Sequence, residues 1–96
     1  MPTIALSSVL RPARDMRFRR VDDDMVVVRQ RTAEVLVLND VAASLLELAD
    51  GMTPISGWVE DLLCRYDVDR KTLERDVLTF ADELTRDGML EEATSP

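Results

Sequence analysis

Side chains able to do chemistry are scarce in this chain, and their types exclude most of it. There is no histidine and one cysteine, Cys64, so neither a Cys/His nor a Ser/His nucleophile can be assembled. No Gly-x-x-x-x-Gly-Lys segment is present to cradle a phosphate. Carboxylates are plentiful, but a pair that works as acid and base needs a deep pocket to separate its pKa values, and 96 residues rarely provide one. Asp22, Asp23 and Asp24 stand in a row, yet consecutive residues cannot all face one ion without the spaced ligands of an EF-hand loop. They read as an exposed turn. Cys64, next to Leu63, reads as a small core residue, and Trp58, the only indole, as a partly buried packing residue. No catalysis, no cofactor and no metal are expected.

The charge balance points the same way. Nineteen acidic against twelve basic residues give a net charge of −7, which repels a phosphate backbone unless the basic residues gather on one face. The basic density lies in Arg11, Arg14, Arg17, Arg19 and Arg20, followed by Arg29 and Arg31. Arg17 and Arg19 point the same way if they share a strand, giving either a small basic patch or a solvated strand face. A lone cysteine forms no intrachain disulfide, and nothing argues for secretion. The first ten residues lack a basic start and a sustained apolar stretch, and no run nears the roughly 20 apolar residues of a membrane span. A cytoplasmic location is expected.

The elements that must position the remaining residues follow from periodicity. Residues 1–15 carry Pro2 and Pro12 without clear period and suggest an extended arm, residues 16–90 a single domain, and residues 91–96 a flexible tail. Met16 to Val21, Met25 to Arg29 and Ala33 to Leu38 read as three short strands, joined at Asp22-Asp23-Asp24 and Gln30-Arg31-Thr32, hence a meander. Asn39 or Asp40 can cap a helix carrying Val41, Leu45, Leu48 and Ala49, which stops at Asp50-Gly51. Thr53-Pro54 repeats the start signal for a helix with Ile55, Val59, Leu62, Leu63 and Tyr66 at helical spacing. Gly57 inside it permits a close approach or is incidental. Asp67 or Asp69 caps the longest helix, whose Leu73, Val77, Phe80 and Leu84 form one stripe before Gly88. The expected class is α+β: a three-stranded antiparallel sheet followed by three helices, winged-helix-like.

A meander leaves an outer strand with unpaired amides and carbonyls, which a second extended chain can complete. Glu34, Val35, Leu36, Val37 and Leu38 form the candidate edge, with Val35, Val37 and Phe80 as the floor of a neighbouring groove. The competing possibilities are an edge covered by the N-terminal arm and an edge used to form a homodimer. The same element order also describes a winged-helix DNA binder, but the third helix sets Asp76, Asp82, Glu83 and Asp87 beside Arg75 and Arg86, with no net attraction to phosphate.

These residues carry a resemblance. Val37-Leu38-Asn39-Asp40-Val41-Ala42, Leu46-Glu47-Leu48-Ala49-Asp50-Gly51, Ile55 with Val59 and Leu62, and Asp76-Val77 with Phe80, Leu84 and Gly88 resemble the PqqD-like proteins, stand-alone peptide-recognition modules of pyrroloquinoline quinone biosynthesis. The resemblance covers about residues 16 to 90. It implies a module that binds the leader segment of a ribosomally made precursor peptide as an added strand, against the third helix, and presents it to a modifying enzyme. That enzyme is a radical SAM enzyme or, in lasso peptide assembly, a leader-cleaving protease. Carried onto this chain, the implied contacts are Glu34 to Leu38 on the strand and Asp76, Thr79, Phe80 and Glu83 on the helix. Arg29-Gln30-Arg31-Thr32 replaces the Tyr-Pro-Glu-Gly-like turn of the quinone-pathway members, and Met89 stands where they often carry tryptophan, which leaves the pathway open.

Overall fold

The computed structural model describes residues 4–93; the first three residues of the expected arm and the last three of the expected tail lie outside them. The elements run β1 (Leu10–Pro12), β2 (Met16–Val21), β3 (Asp24–Arg29), β4 (Glu34–Leu38), α1 (Asp40–Leu48), α2 (Ile55–Arg65), α3 (Arg70–Arg86) and β5 (Leu90–Glu92). The antiparallel sheet β2-β3-β4 ahead of three helices is the α+β architecture that the sequence predicts. Its surprise is the separate pair β1-β5, with Leu10 opposite Glu92 and Pro12 opposite Leu90. Three-residue strands are too short for alternation to register. Glu91 and Glu92, assigned by sequence to the tail, therefore belong to a strand. On its other side β1 meets the α1–α2 loop, where the Gly51 amide donates to the Leu10 carbonyl.

Two tight turns fix the register of the larger sheet. Asp22 and Asp23 alone separate Val21 from Asp24, so that closing pair must exchange both of its backbone hydrogen bonds. Asp22 takes a left-handed backbone (φ 55), which a short acidic side chain tolerates. Alternation then directs the amides and carbonyls of Asp24, Val26 and Val28 toward β2, and those of Met25, Val27 and Arg29 toward β4. The bond from the Gln30 amide to the Asp15 carbonyl, 2.9 Å, continues the same parity beyond the strands. Since Met25, Val27 and Arg29 pair with Leu38, Leu36 and Glu34, these three spend their backbone groups on β3. Those of Val35 and Val37 point outward.

One face of the sheet packs on the helices. Met16, Met25 and Val27 are buried there with Leu45 and Leu46 of α1, Ile55, Trp58, Val59 and Leu62 of α2, and Val77, Ala81 and Leu84 of α3. Complete burial of each Val, Leu, Ile or Met among them stabilises the fold by about 1.5–3 kcal/mol. Trp58 is wholly buried, not partly, and its indole Nε1 has no hydrogen-bond partner among the described residues. Cys64, expected in the core, is exposed. The buried stripe of α2 is Ile55, Trp58, Val59 and Leu62, and position 64 lies roughly 200° around the helix from Leu62.

Caps and ion pairs set the helices in place. The Asn39 side chain accepts from the Ala42 amide, and that of Asp69 from the Thr72 amide. Thr53, by contrast, does not cap α2; the N-cap is Pro54, without a side-chain bond. The Thr53 hydroxyl instead donates to Asp50, which also accepts the Met52 and Thr53 amides. Those amides hold the Asp50 carboxyl below its usual pKa, as the Thr72 amide does for Asp69. Gly57 does permit a close approach, since a Cβ there would stand 2.7 Å from Thr53 Cγ2. Arg20 on the inner sheet face reaches Glu47 and Asp40 of α1 at 3.0 and 2.9 Å. Hydrogen bonding to Glu47 and then Asp40 raises its pKa further, so it stays charged.

Candidate functional site

β4 is the outermost strand of the sheet, and no strand among the described residues covers its free side. The amides and carbonyls of Val35 and Val37 make no hydrogen bond within the described structure, which leaves a ladder that an extended chain can complete. β2 is the other border, and it is obstructed at its first residue. Its Met16 amide donates to the Ala13 carbonyl, and the Arg17 guanidinium occupies the Met16 carbonyl. The outward backbone groups of Phe18 and Arg20 have no partner among the described residues, so what distinguishes the β4 edge is the cleft beside it.

That edge leads into a groove. Asn39 follows β4 directly and, with Val41, Ala42 and Leu45 of α1, Leu62 of α2 and Leu73, Asp76, Val77 and Phe80 of α3, lines an open cleft of about 380 Å³. Its lining is apolar apart from Asn39 and Asp76, so it suits carbon-rich side chains with a polar group at the rim.

The predicted residues separate accordingly. Leu36 and Leu38 turn inward and are partly buried against the core. Val35 and Val37 turn outward, 62% and 65% exposed, because successive side chains of a strand take opposite faces. The expected groove floor of Val35, Val37 and Phe80 is thus incorrect: the two valines lie on the far side of the sheet. Asp76 and Phe80 line the cleft. Thr79 and Glu83 are exposed on α3 outside it. Glu34 stands 3.6 Å from Arg29, whose guanidinium donates to the Asp87 carbonyl at the end of α3. The predicted stripe of α3 also divides, with Val77 and Leu84 buried and Leu73 and Phe80 only partly so. Sequence reasoning missed Asn39, Val41, Ala42, Leu45, Leu62, Leu73 and Val77 as cleft residues; the spacing of the apolar ones is that of ordinary core positions, and only the apolar pair after the cap gives a hint. The exposed residues of α3 mix Asp76 and Glu83 with Arg70, Lys71, Arg75 and Arg86, and the helix as a whole has no excess of either sign to build a phosphate-binding face; nothing in the structure favours the DNA-binding alternative.

Fold and site together define a small winged-helix-like module with a free sheet edge beside an apolar cleft. The chain belongs to the PqqD family: the model for coenzyme PQQ synthesis protein D matches residues 24–90, which hold β3, β4 and all three helices. Two relatives called PqqA binding protein, from the CGA009 and BisB5 strains of Rhodopseudomonas palustris, are each 30% identical to it, over 94% of this chain and 90% of their own length. Among solved structures, TbiB1 in complex with the TbiA(beta) leader peptide superposes with a TM-score of 0.79 at 23% identity, over 90% of this chain and 99% of that one. Lasso peptide synthetase B1 complexed with the leader peptide gives 0.75 at 29% identity, over 88% and 99%.

Proposed function

We propose that this protein binds the leader segment of a ribosomally synthesised precursor peptide as a strand added to β4 and presents it to a peptide-modifying enzyme, with no catalysis of its own. The observation that carries this is the free backbone of Val35 and Val37 leading through Asn39 into the cleft. A ladder of backbone bonds gives affinity for any extended chain, and the cleft selects among side chains. The relatives, called PqqA binding protein, and the two solved structures, named as complexes with a leader peptide, support it. Glu34 to Leu38 contribute the strand contacts, and Asp76, Thr79, Phe80 and Glu83 those of the helix. The partner is a radical SAM enzyme or a leader-cleaving protease in the cytoplasm.

A fluorescent leader peptide from a precursor encoded beside this protein, titrated with it and followed by anisotropy, tests the reading. Saturable binding with Kd of about micromolar or tighter is expected, with loss of binding for a scrambled leader. No saturation by folded protein, or equal binding of the scrambled peptide, refutes it.

A further inference from the structure

The backbone pairing proposed above leaves the outer face of the sheet uncovered, yet four valines lie on it beside two arginines. Cross-strand register sets Arg17, Val28 and Val35 in one row and Arg19, Val26 and Val37 in the next. No element packs on these six side chains, whereas the opposite face is filled by the helices. Its charge is equally unusual for a chain with net charge −7. Among the described residues, Arg17 and Arg19 make no ion pair, and neither do Arg14 and Arg31 in the adjoining turns, while each of the other arginines does. Monomeric proteins rarely leave a contiguous apolar patch without a use.

We infer that this face docks the enzyme to which the leader is presented, through an enzyme surface with an apolar centre and carboxylates set against Arg17 and Arg19. The inference rests on the leader-binding reading in one respect: the face borders the β4 edge, and a strand added there turns alternate side chains outward beside Val35 and Val37. The docked leader then enlarges the face, so enzyme and leader bind cooperatively. A second copy is a poorer occupant, because a two-fold contact sets the same arginines against each other. The arginines give the contact its salt dependence and orientation, and the valines its buried area.

The test uses the purified protein, the labelled leader and the purified enzyme acting on the same precursor. The variant Arg17→Glu/Arg19→Glu is expected to bind leader within about twofold of wild type but enzyme about tenfold or more weakly. Val26→Thr/Val28→Thr, which keeps β-branched side chains, is expected to weaken enzyme binding without moving the leader titration. Enzyme affinity unchanged in both variants overturns the assignment. So does concentration-dependent dimerisation of wild type that the arginine variant abolishes, or binding to phosphatidylserine vesicles that it abolishes. Wild type that fails to bind leader, yet binds enzyme in an arginine-dependent way, keeps this inference and discards the leader-binding one.

Discussion

Replacing Val37 by proline separates the open edge from the rest of the fold. The Val37 amide points away from β3, so proline there removes no bond of the sheet and sits where an edge strand tolerates it. Leu36→Pro deletes the amide paired with Val27 and breaks the ladder, which makes it the control for structural damage. A docked leader loses one donor in Val37→Pro, and its carbonyl is left unpaired beneath the proline ring. An unsatisfied buried acceptor costs about 1–3 kcal/mol, which weakens Kd between about fivefold and about a hundredfold. Val37→Thr keeps the amide and changes one exposed side chain, for which about twofold or less is expected. Leader anisotropy measures the affinities, and thermal melting followed by circular dichroism confirms that each variant is folded. A folded Val37→Pro protein with wild-type affinity would show that the leader does not pair with β4, and the same result at Val35 would end the strand-addition argument.

Three further outcomes follow from the geometry. Phe80→Ala removes a cleft wall that is only partly buried, so leader affinity should fall by about 1–3 kcal/mol while stability falls by less than that; equal effects on both would make Phe80 a core residue only. Gly57→Ala should forfeit the gain of about 1 kcal/mol normal for a helix interior, because of the 2.7 Å approach to Thr53 Cγ2, and Gly57→Ala/Thr53→Ser should recover it in urea denaturation. The folded pKa values of Asp50, Asp69 and Glu60 lie below their ordinary values of 3.8, 3.8 and 4.5, through hydrogen bonds from Met52, Thr72 and Arg70 respectively. Their stabilisation is therefore complete above those ordinary values and is lost as pH falls through the lowered ones. Urea midpoints should drop below about pH 4.5, and Asp50→Asn/Asp69→Asn should flatten that drop; an unaltered slope would refute the linkage.

What the sequence made legible was whatever a short period or one side chain encodes. The meander shows because Asp22-Asp23 leaves room for only one turn and the strands around it are β-branched. The caps show to within a residue or two, as Asn39 or Asp40 and Asp67 or Asp69, because each has an acceptor ahead of a free amide. Thr53 misleads, since its hydroxyl has a nearer partner in Asp50. Trp58 and Cys64 were misplaced because the apolar run through Leu63 and Tyr66 drew the stripe of α2 around the helix, away from Trp58. That β4 borders the sheet was readable from strand order, but whether the arm covers it was not. The cleft was not, because it arises from how three helices splay apart, and Leu73, Leu62 and Leu45 have the spacing of any core residue.

One residue, Asn39, joins β4 to α1, and α1 forms a wall of the cleft. Edge and cleft are therefore a single rigid gauge and cannot slide past each other. A guest chain engages it only in whole steps: a slip of one residue turns every side chain to the wrong side, and a slip of two carries the anchor about 7 Å from its seat. Once the anchor is seated, the number of residues between it and the bond to be altered is counted from a fixed zero mark. On the proposed reading the module acts as a ruler, and the spacing within the precursor, as much as its composition, decides which residue arrives at the enzyme.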